Sequence, residues 1–182
     1  MKNQLNRRSI RLQGYDYSQP GMYFITLCTD RKRCLFGFIQ SNAVQLNEFG
    51  QKVKSILLSL SKRFPHVTLD EFVIMPNHIH AIIVISKPEY QYKDISTVPP
   101  SVESTPGLSQ IIGSFKSLVY RQYTLERNKF AEQQQIKQHK IWQRNYFEHI
   151  VRDGSDYDRI VNYIRDNPMN WKDDKLYTSA TS

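Results

Sequence analysis

Apolar positions along the chain recur with two different periods, and the switches between them mark its elements. Tyr23-Phe24-Ile25-Thr26-Leu27 is rich in aromatic and β-branched residues, which reads as a strand. Arg31-Lys32-Arg33 reads as its turn, and Cys34 to Gln45 as strand again, interrupted near Ser41-Asn42. Phe49, Val53, Ile56, Leu57, Leu60 and Phe64 then recur at helical spacing, with Asn47 as N-cap and Pro65 as the stop. Two apolar runs follow, Val67 to Met75 and His78 to Ile85, with Pro76-Asn77 as hairpin punctuation between strands that read as buried on both faces. A second amphipathic helix begins near Leu108. Ile111, Ile112, Phe115, Leu118 and Val119 form its inner face, and Lys116, Tyr120 and Tyr123 share another. Glu126 to His139 carries no readable pattern, and Ile141 to Arg152 fits strand or helix alike. The last helix runs from about Ser155 to Asn167. Ser155 reads as its cap, Asp156 and Asp158 complement its N-terminus, and Asn167-Pro168 ends it.

Strand, strand, helix, strand, strand, helix and a late helix make an α+β sandwich with an antiparallel sheet. Residues 1–182 are expected to form a single domain, with a basic N-terminal arm over 1–20. Lys87 to Gly107 holds four of the eight prolines and little that could enter a core, so 87–107 is expected to be a flexible internal loop. No internal repeat is visible.

A content of 40% hydrophobic and 23% charged residues is that of a globular protein. The longest apolar stretch, Ala81 to Ile85, is far too short to span a bilayer, and no charged-then-apolar leader opens the chain. Cys28 and Cys34 alone make neither a disulfide framework nor a four-ligand zinc site. A soluble, reduced, cytoplasmic protein without a membrane partner is the expectation. The net charge is +8, and its excess is concentrated early: residues 1–40 hold seven Lys/Arg against Asp16 and Asp30. With Tyr15, Tyr17 and Tyr23 interleaved, that end suits a polyanion whose bases stack; a solvated arm is the plainer reading of the same residues.

The sharpest chemical feature is His78-Ile79-His80 at the start of a strand. Alternation puts both imidazoles on one face, where they could share a divalent ion and leave coordination positions open. An isolated His-x-His is more often a pair hydrogen-bonded within a sheet. In the last helix, Tyr157, Ile160, Val161 and Ile164 form the buried stripe, while Tyr163 and Asn167, at i and i+4, flank it on one side. Those two could reach a site at the sheet edge, or Tyr163 could merely snorkel while Asn167 ends the helix.

Two strings raise the first reading. Val73-Ile74-Met75-Pro76-Asn77-His78-Ile79-His80-Ala81-Ile82-Ile83-Val84, paired with the distant Tyr163-Ile164-Arg165-Asp166-Asn167-Pro168, resembles the HUH single-tyrosine transposases of the insertion-sequence-200-like type, in their REP-associated branch. The resemblance covers nearly the whole chain: Gly14-Tyr15-Asp16-Tyr17 with Gly21-Met22-Tyr23-Phe24-Ile25-Thr26, Phe115-Lys116-Ser117, and Trp142 to Arg152 are similar to further segments of that branch. It implies a ferredoxin-like or RRM-like two-layer sandwich whose central antiparallel sheet carries the His-x-His strand. It also implies that His78, His80 and Asn167 hold Mg²⁺ or Mn²⁺. Many relatives outside the branch have Gln where Asn167 stands. Tyr163 would be the nucleophile, forming a 5′-phosphotyrosine with single-stranded DNA at hairpin-forming palindromic repeats. Arg7, Arg8 and Arg11 would clamp phosphates or read bases beside a hairpin.

Lys116, Arg121 and Arg144 are further candidate DNA contacts, with helix-surface salt links as the equal alternative. His149, beside Glu148, could orient a ligand or assist proton transfer, or be an ordinary surface histidine; His66 and His139 read as loop residues. The phosphotyrosine that the resemblance implies would conserve the phosphodiester energy, so no nucleotide cofactor is expected; consistently, the sequence has no Gly-rich phosphate loop. A monomer is favoured over a homodimer by the resemblance to the branch. Two other classes stay open on the residues: a non-catalytic single-stranded nucleic-acid-binding module and a metal-dependent phosphoesterase.

Overall fold

A computed structural model describes residues 16–87, 105–130 and 140–178. Arg7, Arg8, Arg11, His139 and most of the 87–107 loop lie outside the described residues.

Strand β1 (Gly21–Cys28) is central, as its nearly unbroken burial requires. A short 3₁₀ turn at Asp30–Lys32 follows, with Arg31 and Lys32 both at positive φ, and leads into the hairpin β2 (Gly37–Gln40) and β3 (Ala43–Leu46). Ser41 and Asn42, at φ 50° and 61°, make the two-residue left-handed turn that suits a hairpin. Helix α1 (Glu48–Leu58) opens as the sequence predicts: the Asn47 side chain accepts from the Gly50 amide at 2.8 Å. The periodicity to Phe64 is carried by α1 and one further turn, α2 (Leu60–Arg63), with a break at Ser59. Then come β4 (Val67–Ile74) and β5 (His78–Ile85), α3 (Leu108–Phe130), β6 (Phe147–Val151) and α4 (Gly154–Asp166).

Setting the small hairpin aside, β1-α1-β4-β5-α3-β6 builds a sheet in the order β4-β5-β1-β6 with every neighbouring pair antiparallel. That connectivity is the ferredoxin-like one. Odd residues of β1 and β5 (Tyr23, Ile25, Leu27, Ile79, Ala81, Ile83) point to α1 and α3 and form the main core with Val53, Leu57, Ile111, Phe115 and Val119. Even residues face the other way, where Phe24 and Ile82 pack against Ile160, Val161 and Ile164 of α4. α4 therefore lies over the sandwich's second sheet face. Because parity decides the face, His78 and His80 lie on the α4 side.

Three sequence expectations are corrected, and two stretches left undecided are resolved. β4 is not buried on both faces: it is an edge strand with a bulge between Leu69 and Phe72, where Asp70 and Glu71 interrupt the apolar run. Leu118 is half-buried and outside the α3 core face. The patternless stretch after Glu126 begins inside α3, which is tied to α1 there by Lys52–Glu126 at 2.7 Å. The cap of α4 is Asp153, which accepts from the Asp156 amide at 2.9 Å and from the Ser155 hydroxyl at 2.6 Å; Ser155 already sits within the first turn. The segment left open between strand and helix contains β6, a strand paired to β1. Among the described residues, no helix is long and apolar enough to cross a membrane.

Candidate active site

The site begins at the turn between β4 and β5, where Asn77 is fully enclosed. Its Nδ2 donates to the carbonyls of Lys32 (3.1 Å) and Leu176 (2.8 Å). The amide oxygen must then face His78, whose Nδ1 lies 2.8 Å away. An amide oxygen only accepts, so Nδ1 of His78 carries the proton and Nε2 keeps its lone pair. His80, two residues on, has its Nδ1 2.9 Å from the hydroxyl of Thr26, its cross-strand partner on β1. The two rings are 4.5 Å apart, centroid to centroid, and both are buried.

Helix α4 closes this face. Tyr163 is half-exposed, with its hydroxyl 3.3 Å from Nε2 of His80 and its ring edge-on to Phe24. Asn167, the C-cap, is buried; its Nδ2 donates to Asp174 Oδ2 at 3.2 Å, and its Oδ1 is buried without a hydrogen-bond partner. The chain after α4 turns back over the site through a 3₁₀ turn at Trp171–Asp173, bringing Asp174 Oδ2 to 3.9 Å from His78 Nε2. Asp174 Oδ1 accepts from the Leu176 amide. Trp171 stands beside His78, centroids 5.9 Å apart.

Burial dominates the electrostatics. It pushes His78 down to about 4, against the opposing pull of Asp174 and Asn167. His80 is held well below its ordinary value by burial and then by His78. Both imidazoles are therefore neutral near pH 7. The Tyr163 phenol is pushed up, first by desolvation and then by the Asp174 charge.

Two buried polar atoms here, His78 Nε2 and Asn167 Oδ1, lack a hydrogen-bond partner, and such orphans in a native interior call for an explanation. His78, His80 and Asp174 offer ligand atoms all within 4.8 Å of one another. Two neutral imidazole nitrogens, a carboxylate and an orphan amide oxygen are a donor set fit for a divalent cation. The fold thus gathers His78, His80, Tyr163 and Asn167 in one place. Sequence reasoning missed Asp174, Thr26 and Asn77. Asn77 adjoins the histidines in the chain, but nothing in sequence spacing ties Asp174 or Thr26 to them.

The other candidates lie elsewhere. Lys116 and Arg121 are on α3, which packs on the opposite sheet face; Lys116 donates to the Gln143 carbonyl at 3.1 Å and stands over the Tyr146 ring. Arg144 is exposed ahead of β6. His149 pairs with Asp156 at 2.7 Å, holding that carboxyl down at about 2. Glu148 is buried on the α1/α3 side, opposite Ile25, and His66 lies 3.0 Å from the Pro106 carbonyl.

Fold and site together define an α+β protein with a His-x-His strand facing a helix-borne tyrosine. No family model matches the chain. It is 42% identical over 176 residues to an uncharacterized protein of Haemophilus influenzae, covering 94% of this chain and 93% of that one. It is 23% identical over 155 residues to a Haemophilus influenzae protein named "Putative REP-associated tyrosine transposase", covering 85% and 73%. Among solved structures, a REP-associated tyrosine transposase bound to a REP hairpin matches with a TM-score of 0.52 at 20% identity, over 86% of this chain and 71% of that chain. The chain belongs to one family with its 42%-identical relative, and the resemblance to REP-associated tyrosine transposases is borne out: they are its relatives and share its fold.

Proposed function

We propose that the protein is a transposase-like enzyme that nicks and rejoins single-stranded DNA beside hairpin-forming palindromes. The observation that carries this reading is the Tyr163 hydroxyl 3.3 Å from a ligand-type nitrogen of His80, next to the orphan atoms of His78 and Asn167. The hairpin-bound relative supports the choice of substrate.

His78, His80 and Asn167 would hold Mg²⁺ or Mn²⁺, with Asp174 added to the set the sequence suggests. A bound ion would supply Lewis-acid polarisation of a phosphate oxygen. Asn77 and Thr26 orient the imidazoles, and α4 presents Tyr163 at the boundary of core and solvent. The phenol enters the reaction protonated, since burial and Asp174 both favour the neutral form. Its oxygen bonds to phosphorus, the P–O3′ bond breaks, and the phenolic proton is lost as the 3′-oxygen leaves to become a hydroxyl. The product is a 5′-phosphotyrosine that conserves the phosphodiester, so rejoining to a 3′-hydroxyl requires no nucleotide cofactor. Arg7, Arg8 and Arg11 are proposed to clamp phosphates or read bases beside the hairpin, and Lys116, Arg121 and Arg144 to contact the DNA as well. A monomer acting in the cytoplasm completes the reading.

The test is a denaturing gel of protein with end-labelled hairpin DNA from beside its own gene, in Mn²⁺ or in EDTA. A Mn²⁺-dependent covalent band is expected that disappears in Tyr163→Phe, while that variant still shifts the hairpin on a native gel. Cutting by Tyr163→Phe removes the nucleophile assignment. A shift that ignores chelator, with no covalent band, favours a binding module. His78→Ala should abolish stimulation across a Mn²⁺ titration.

A further inference from the structure

One concavity adjoins the active site without being part of it. The β2–β3 hairpin and the chain following α4 enclose a pocket of about 340 Å³. Its lining includes Phe38, Met169, Trp171, Lys172 and Tyr177. Three of these are large apolar side chains left in solvent: Phe38 57%, Met169 58% and Tyr177 40% exposed. Exposed apolar side chains gathered at one concavity mark a candidate binding site. Trp171 and Tyr177 meet edge to face at 5.3 Å, forming a fixed aromatic wall. The same indole is the neighbour of His78, so one ring separates the pocket from the imidazoles. Lys172 brings a cation to the lining. Asp174, the acid of this segment nearest the histidines, turns inward to His78.

We propose that this pocket holds an unpaired nucleobase of the DNA strand next to the scissile phosphate, stacked among Phe38, Trp171 and Tyr177, with Lys172 on the flanking backbone phosphate. The inference rests on the nicking function proposed above and deepens it by placing the strand. The size suits a base, being at the low end for small-ligand sites and far below what a folded element needs. Aromatic faces beside an ammonium group are the chemistry that binds single strands with little regard to sequence. A base anchored here fixes the register in which a phosphodiester meets Tyr163, since the pocket wall and the histidines share Trp171.

The probe is a fluorescein-labelled ten-nucleotide thymidine strand with bromodeoxyuridine at alternate positions, bound to the full chain in EDTA and irradiated. Cross-links are expected within residues 35–42 and 169–178. Phe38→Ala should weaken binding about tenfold by anisotropy, and Tyr177→Ala comparably, the loss of one stacked base. Phe38 is mostly in solvent, so the variant keeps the wild-type circular dichroism and melting point. Cross-links confined to other peptides, unchanged affinity in both variants, or failure of the strand to bind would each overturn the pocket. The two readings fail separately: a Tyr163 adduct on hairpin DNA without pocket cross-links discards only the base site. Absence of both the adduct and strand binding discards the nicking function as well.

Discussion

What the two histidines can do is decided by residues that are not histidines. Asn77 spends both amide protons on the Lys32 and Leu176 carbonyls, which leaves its oxygen for His78 Nδ1–H and turns the Nε2 lone pair toward Asn167 and Asp174. Thr26 braces the ring of His80 from the next strand. Losing such an orienting partner weakens metal sites by about ten- to a hundredfold. Asn77→Ala should therefore weaken Mn²⁺ binding by that factor in titration calorimetry, with both imidazoles still present; an unchanged affinity would mean that Asn77 only fastens the loop. The histidine pair was legible because residues two apart on a strand share a face. Tyr163 and Asn167 were legible because residues four apart on a helix do. Thr26 and Asp174 were not: one arrives through the register of β1 on β5, the other through a chain reversal beyond Pro168. Neither follows from local period.

Among the elements, those with one clean apolar face were readable and those at margins were not. β1, α1 and α4 each bury a stripe whose period fixes its type. β4 and β6 are edge strands with one neighbour each, so fewer of their positions are constrained to be apolar, and β6 stayed undecided between strand and helix. Boundaries were weaker than types. Asp153 and Ser155 are both good N-cap residues two apart, and only the backbone shows that Asp153 has the extended conformation and takes the Asp156 amide. Asp153→Ala should cost about 1 kcal/mol in urea unfolding, and Ser155→Ala distinctly less. The reverse ranking would put the cap back at Ser155. Because α4 carries Tyr163 at its far end, fraying at Asp153 should leave the tyrosine seated, since Ile160, Val161 and Ile164 hold that part of the helix to the sheet.

Across the whole molecule, the second sheet face is divided between an apolar patch under α4 and a polar centre made of two enclosed imidazoles. That division links stability to pH. In the unfolded chain both histidines titrate near their ordinary value of about 6.5. In the folded chain His78 does so only near about 4, and His80 is also well below its ordinary value, burial being the first cause for each. Between those limits the unfolded state binds more protons than the folded one, so stability rises with pH and is lost on acidification. The contribution is fully present above about pH 6.5 and drains as pH falls toward 4, at about 1.4 kcal/mol per pH unit for each histidine kept neutral. The carboxylates act in a lower window. Asp156, held to about 2 chiefly by its hydrogen bond from His149, and Asp153, lowered by Ser155 and the Asp156 amide, lose their share only as pH drops below the usual carboxyl range. Urea midpoints of the metal-free protein measured from pH 7 to 4 should therefore fall steadily through the histidine window, before the carboxylates contribute. His78→Gln should make that slope shallower whatever it does to the midpoint at pH 7. An equal slope in the variant would mean that His78 is protonated in the folded chain. Its Nε2 would then be a donor facing Asp174 rather than a lone pair open to a cation.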